Sequence, residues 1–145
     1  MKHLCDANVF IALAVEQHAS HRHAARWFES LGDDDTAAFC RATQNSFLRL
    51  LTHKIAEDYA PLPNRKAWEV YDQLYRDDAV VVAEEPAGLE PIWRKLAARD
   101  TVSPKVWMDA YLAAFALGGG LRLVSLDHDF KTFSVHGLDL LLLNP

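Results

Sequence analysis

Short apolar runs alternate with longer stretches of helical periodicity along the whole chain. His3-Leu4-Cys5 climbs to a carboxylate at Asp6, and Ala7-Asn8-Val9-Phe10-Ile11-Ala12 follows without a break. This predicts a buried strand ending at Asp6, then a helix over residues 9–15, apolar nearly all round and therefore largely buried. Ser20 is placed to cap a second helix whose apolar face is Ala24, Ala25, Trp27, Phe28 and Leu31, stopped by Gly32. Residues 36–40 predict a second strand. Thr43 then stands as the cap of a helix over residues 44–53, with Phe47, Leu48, Leu50 and Leu51 facing inward. Pro61 and Pro63 mark a connection, and Asn64 opens a helix with Trp68, Tyr71, Leu74 and Tyr75 on its apolar face. Residues 79–83, Ala-Val-Val-Val-Ala, predict a third strand whose β-branched run suits a sheet covered on both faces.

The second half repeats the alternation. Residues 88–98 predict an amphipathic helix with Leu89, Ile92, Trp93 and Leu96 at helical spacing. Residues 102–105 read as a loop, and residues 106–117 as a strongly apolar helix ended by Gly118-Gly119-Gly120. That glycine run follows a helix and precedes a strand, the reverse of a phosphate-binding loop, so it reads as a helix stop. Residues 121–126 predict a fourth strand and residues 138–143 a short last one. Strands alternating with helices give an α/β fold, a three-layer α/β/α arrangement with a mainly parallel central sheet. With no repeat, linker or low-complexity tract, residues 1–145 are expected to form a single domain.

Composition narrows the function. The 145 residues are 50% apolar and 24% charged, with a formal net charge of -5. That balance argues against holding nucleic acid by diffuse basic electrostatics. A nuclease stays open, because bound divalent ions can offset acids where a phosphate must sit. No apolar run is long enough to cross a bilayer, and the start of the chain lacks the features of a secretory signal, so the default compartment is the cytoplasm. Cys5 and Cys40 read as free buried thiols. Asp33-Asp34-Asp35 reads as a surface turn, since its spacing is not that of a calcium loop. His18, His21 and His23 read as a solvated edge rather than a metal site.

Three acids stand where elements begin or end. Asp6 and Asp127 each close an apolar strand, and Asp109 lies in the first turn of an apolar helix, Val106-Trp107-Met108-Asp109. For each acid alone, a helix cap or a contact with its own helix N-terminus is as good a reading as a functional one. Together they mean more, because parallel strands end on one edge of the sheet and ligands bind outside that edge. Carboxylates converging there raise one another's pKa unless a hard cation keeps them ionised, and carboxylate ligands favour Mg2+ or Mn2+ over zinc.

Four stretches carry a resemblance that spans essentially the whole chain. They are Leu4-Cys5-Asp6-Ala7-Asn8-Val9-Phe10-Ile11-Ala12-Leu13, Ala42-Thr43-Gln44-Asn45-Ser46-Phe47-Leu48-Arg49-Leu50, Trp107-Met108-Asp109-Ala110-Tyr111-Leu112-Ala113 and Leu123-Val124-Ser125-Leu126-Asp127-His128-Asp129-Phe130. In order and spacing the chain resembles the PIN-domain ribonucleases, most closely the VapC toxins of bacterial toxin-antitoxin pairs. The resemblance implies that Asp6, Asp109 and Asp127 are catalytic and hold Mg2+ or Mn2+, with Asp129 a further acid near the metal. Asn8 and Ser125 would orient water or phosphate. A metal-activated water would then attack phosphorus in line, leaving a 5′-phosphate and a 3′-hydroxyl. The resemblance also implies an RNA substrate, a homodimer and a VapB-like antitoxin wrapped near the active site.

The chain departs from the pattern in one place. Where many members carry a glutamate in the helix after the second strand, this chain has Gln44, which can ligate through its amide oxygen but brings no charge. Arg41, Arg49 and Lys105 are candidates for phosphate contact if they border the acids. Trp27, Phe28, Trp68, Tyr71, Trp93 and Trp107 lie at core spacing in helices, where some could line a partner groove. One alternative is a catalytically weak PIN-like scaffold that binds protein. Another is a phosphotransfer domain, but the haloacid-dehalogenase type needs a second acid two positions after its nucleophile, where Asn8 stands. A receiver domain would want an acid pair after its first strand.

Overall fold

A computed structural model describes residues 1–143; the last two residues of the expected domain lie outside the described residues. Five strands, β1 (Lys2–Cys5), β2 (Thr36–Phe39), β3 (Val80–Val82), β4 (Arg122–Ser125) and β5 (Leu140–Leu142), form one sheet. Its order is β3-β2-β1-β4-β5 and every neighbouring pair is parallel. Between them run α1 (Ala7–Ala14), α2 (His21–Glu29), α3 (Arg41–Leu51), α4 (Asn64–Tyr75), α5 (Leu89–Ala97), α6 (Val106–Gly119) and a 3-10 segment, His128–His136. From β1 the chain steps outward to β2 and β3, then returns to lay β4 and β5 on the other side. The reversal makes the carboxyl ends of β1 and β4 a topological switch point, where open α/β sheets bind ligands.

Alternate residues of each strand face opposite layers, as a pleated strand requires. Leu4, Ala38 and Leu123 pack with Leu89 and Leu96 of α5 and with Leu112 and Phe115 of α6. Cys5, Phe39 and Val124 pack with Val9 and Phe10 of α1, Phe47 of α3 and Tyr71 of α4. Two hydrophobic layers on either side of one sheet give the three-layer α/β/α arrangement expected. Each fully buried Phe or Leu contributes roughly 1.5–3 kcal/mol, which holds the sheet edge beneath the acids rigid.

Several local expectations shift. Thr43 does not open its helix: Cys40 is the N-cap, α3 starts at Arg41, and the Thr43 hydroxyl accepts the Cys40 amide at 2.9 Å as the reciprocal half of a capping box. The valine run of β3 lies on the outer edge of the sheet, with Val81 and Val82 only partly buried. Helix α6 continues through Gly119, and Gly120 takes the left-handed conformation (φ 64°) that ends it. Ser20 precedes α2 as expected, yet its side chain makes no cap bond. His18 and His21 are half-buried rather than solvated: the Ser20 amide donates to His18 Nδ1 at 3.0 Å, and His21 Nδ1 meets Ala12 O at 2.7 Å, pinning the α1–α2 turn. Of Trp27, Phe28, Trp68, Tyr71, Trp93 and Trp107, Tyr71 alone is buried, while Trp68 and Trp107 are 50% and 62% exposed because, among the described residues, no further layer covers their helix faces. Cys5 and Cys40 are free and buried, as the sequence implies, and burial pushes the Cys5 thiol far above its ordinary range.

Candidate functional site

The switch point carries the acids. Asp6 follows β1 directly; its amide donates to Val124 O of β4 at 2.9 Å, locking the two strand ends together. Although Asp6 occupies the N-cap position of α1, its side chain makes none of the usual N-cap hydrogen bonds among the described residues. The carboxylate turns toward β4, where Oδ2 accepts from Ser125 Oγ at 2.9 Å. Ser125, wholly buried, also accepts the Asp127 amide through Oγ at 2.9 Å. One hydroxyl therefore fixes both acids relative to each other. Asn8 ties the first turn of α1 to the same place, donating through Nδ2 to Ser125 Oγ at 3.4 Å and accepting the Leu126 amide on Oδ1 at 3.3 Å.

Burial pushes the Asp6 carboxyl up, against the Ser125 hydroxyl, which lowers it. Asp109, in the first turn of α6, is pushed up to about 6, first by burial and then by repulsion from Asp127, Asp6 and Asp129, with Lys105 opposing. Asp127 caps the 3-10 segment, its Oδ1 accepting the Asp129 amide at 2.9 Å. Burial raises Asp127 too, but the Lys105 bond and the Asp129 amide outweigh it and leave the carboxyl below its ordinary value. These environments set apart acids that a sequence motif treats alike.

The Lys105 ammonium is the shared partner. Nζ lies 2.7 Å from Asp127 Oδ2, 2.5 Å from Asp129 Oδ2 and 3.8 Å from Asp109 Oδ2. Bonds to Asp127 and Asp129 drive its pKa well above the lysine range, so it is fully charged. Beside it a cleft of about 200 Å3 is lined by Asp109, Asp129, Arg99 and Thr132.

The donor set fits a hard divalent ion in kind: carboxylates from three elements, with more negative charge than one ammonium neutralises and Asp109 raised in consequence. In position the acids are gathered on Lys105, and among the described residues no three carboxylate, thiol or imidazole groups are arranged to hold an ion as they stand.

Gln44 is buried in the early turns of α3, and its Oε1 accepts from Arg41 Nη1 at 2.5 Å. Both therefore lie at the sheet's carboxyl edge, but they engage each other. Arg49 sits eight residues beyond Arg41 on α3, about 12 Å along the axis at ~1.5 Å per residue, and lines an outer groove. One polar pair escapes sequence reasoning: Tyr111 Oη donates to Glu85 at 2.8 Å, joining α6 to the segment after β3. Its signal was present, because Glu84-Glu85 follows an apolar strand run as closely as Asp6 does.

Residues 4–135 match the PIN domain family. The ribonuclease VapC41 of Mycobacterium tuberculosis is 47% identical over 144 residues, 97% of each chain. Among solved structures, VapBC-1 from nontypeable Haemophilus influenzae superposes with a TM-score of 0.70 at 15% identity, covering 100% of both chains. The Mycobacterium tuberculosis VapC20 toxin, which cleaves the sarcin-ricin loop, gives 0.64 at 20% identity over 90% of this chain and 93% of its own. At those identities the structural matches speak for the fold.

Proposed function

The chain belongs to the PIN domain family, and from that premise we propose that it is a metal-dependent endoribonuclease, the toxin of a VapC-type toxin-antitoxin pair. The observation that carries the reading is the convergence of Asp109, Asp127 and Asp129 on one ammonium, beside an Asp6 tied to Asp127 through Ser125. Asp6, Asp109 and Asp127, with Asp129 nearby, would hold Mg2+ or Mn2+. Bound there, the ion would polarise the scissile phosphate and lower the pKa of a water. The chain's own residues do the positioning. Ser125 and Asn8 hold Asp6 and the turn to Asp127 in place, and Lys105 keeps Asp127 ionised. Lys105 and Arg41 stand close enough to the sheet edge to meet a phosphate.

Residues 1–145 are read as one PIN domain, supported by the match across residues 4–135 and by the sheet that joins both ends of that span. A VapB-like antitoxin as partner is supported by the toxin-antitoxin complex among the structural neighbours. A homodimer and a cytoplasmic setting belong to the same proposed reading; separately, no helix among the described residues is long and apolar enough to cross a membrane. The scaffold reading draws on one observation, the neutral Gln44 with its oxygen held by Arg41.

Incubation of the purified protein with total RNA and Mg2+ or Mn2+ separates the two. Ribonuclease activity that disappears in EDTA and in Asp6→Asn supports the enzyme. Undiminished cleavage by Asp6→Asn would overturn the site, and intact RNA in every condition would leave the scaffold. Growth arrest on induction, relieved by coexpressing the neighbouring small open reading frame, distinguishes a toxin from a housekeeping nuclease.

A further inference from the structure

Away from the acids, α3 and α4 enclose a continuous groove. One recess, of about 540 Å3, is lined by Arg41, Ala42, Gln44, Asn45, Leu48, Trp68 and Tyr111. The next, of about 330 Å3, shares Asn45, Leu48 and Trp68 and continues to Arg49, Thr52 and Asn64. Trp68 thus stands at the junction. It is 50% exposed and meets Tyr71 edge-on at 5.9 Å, while Tyr71 stacks on Tyr75, itself 50% exposed, with ring planes 12° apart. The indole is braced from behind and open in front.

Two features identify the occupant. Among the described residues no carboxylate lines either recess, Glu85 meeting only the Tyr111 hydroxyl at its margin, although the chain carries a formal charge of -5; the charged lining groups are Arg41 and Arg49, and Gln44, Asn45 and Asn64 add amides. The nearby Glu69 is paired to Lys66 at 3.2 Å. A braced aromatic ring between two arginines, with amides at hand, is the chemistry that holds unpaired nucleotides: bases stack on the ring and phosphates meet the guanidinium groups. One end of the groove lies at the sheet's carboxyl edge, because Arg41 and Gln44 follow β2, the parallel neighbour of β1.

We propose that the α3–α4 groove is the track for single-stranded RNA flanking the cleavage site, with Trp68 stacking one unpaired base and Arg49 holding a phosphate beyond it. The proposal rests on the ribonuclease reading for its substrate, and it concerns binding, not cutting.

The test is fluorescence anisotropy of a fluorescein-labelled, mixed-sequence single-stranded RNA of about twelve nucleotides, in EDTA so that no cleavage intervenes. Trp68→Ala is expected to weaken binding about tenfold or more, and Trp68→Phe to keep most of it, because a phenyl ring still stacks. Arg49→Ala should lower the slope of log affinity against log salt by roughly 0.7, one single-strand phosphate contact. Trp107→Ala, an equally exposed indole on another face, should bind as wild type does. RNA should quench indole fluorescence in wild type and much less in Trp68→Phe. These residues are exposed, and melting curves verify folding. Wild-type affinity in Trp68→Ala, or no binding of this RNA by wild type, overturns the track. So does a Trp68→Ala variant that loses only a copurified antitoxin. If wild type binds through Trp68 but cuts no RNA with any metal, the ribonuclease reading fails while the track stands.

Discussion

Lys105 Nζ lies 2.7 Å from Asp127 Oδ2, and the same ammonium reaches Asp129, so a residue of the loop before α6 neutralises the turn after β4. On the proposed reading, this ammonium would compete with a divalent ion for Asp127 and Asp129. Lys105→Met is therefore expected to have two opposite effects. Without metal, Asp127 and Asp129 lose their partner and melting temperature falls by a few degrees at low salt and by less at high salt. With metal, the competing cation is gone and Mn2+ binds about tenfold tighter, by calorimetry or by electron paramagnetic resonance of the free ion. Equal Mn2+ affinity in variant and wild type would show that ammonium and ion occupy separate places.

Asp109 carries a cost to the metal-free fold. Its carboxyl is raised from an ordinary 3.8 to about 6, with burial the main cause. The folded state therefore holds this proton more tightly than the unfolded state. Stability from this group is fully present below about pH 4 and is lost as pH rises through about 6. Asp109→Asn removes that loss and should stabilise the protein in EDTA at pH 7.5 by on the order of 1–2 kcal/mol, a rise of about 2–6 °C in melting temperature. At pH 4 the two proteins should melt together. A destabilised Asn variant at pH 7.5 would mean that the Lys105 contact outweighs burial.

The three acids were legible because parallel topology does the gathering: once Asp6 and Asp127 end adjacent strands and Asp109 opens a crossover helix, their convergence needs no knowledge of side-chain packing. Lys105 was legible only in part. Its spacing to Asp109 is one helical turn, but its bonds to Asp127 and Asp129 depend on how the loop before α6 meets the end of β4, which periodicity does not encode. Trp68 failed for a different reason. Helical spacing assigns a residue to a face of its helix, and whether another layer covers the far part of that face depends on the width of the whole sandwich. Thr43 misled because a hydroxyl three residues into a helix and a hydroxyl before it look alike in sequence; the capping box shows which.

Ser125→Ala tests whether the acids must be held as well as present. The substitution leaves the Asp127 amide without its buried acceptor and Asp6 without its donor, a loss of about 1–3 kcal/mol in stability. Cleavage should fall about 10- to 100-fold, the usual cost of removing a group that orients a metal-binding side chain. Affinity for single-stranded RNA in EDTA should not change, because Ser125 is buried away from the groove. If binding and cleavage fall together, the damage is to the fold and not to the placement of the acids.

His3 governs a separate, acid-side instability. The imidazole is 5% exposed on β1, edge-on to Trp27 at 5.7 Å, with Nε2 3.7 Å from Asp35 and, among the described residues, no hydrogen-bond partner on Nδ1. Burial lowers its pKa most; Asp35 pulls upward, and Arg122 and the amino terminus push down with the burial. Since the folded value lies below the unfolded ~6.5, the unfolded chain takes up a proton that the folded chain refuses. Stability from His3 is thus present above about pH 6.5 and is lost as pH falls below it. His18 is lowered too, by burial and then by His21, so the wild-type slope has more than one source. His3→Phe keeps the ring volume against Trp27 and removes the proton, so its urea midpoint should decline less steeply than wild type between pH 7 and 5. A decline as steep as wild type would assign the slope to His18 and the remaining groups, and would leave His3 a packing residue on β1.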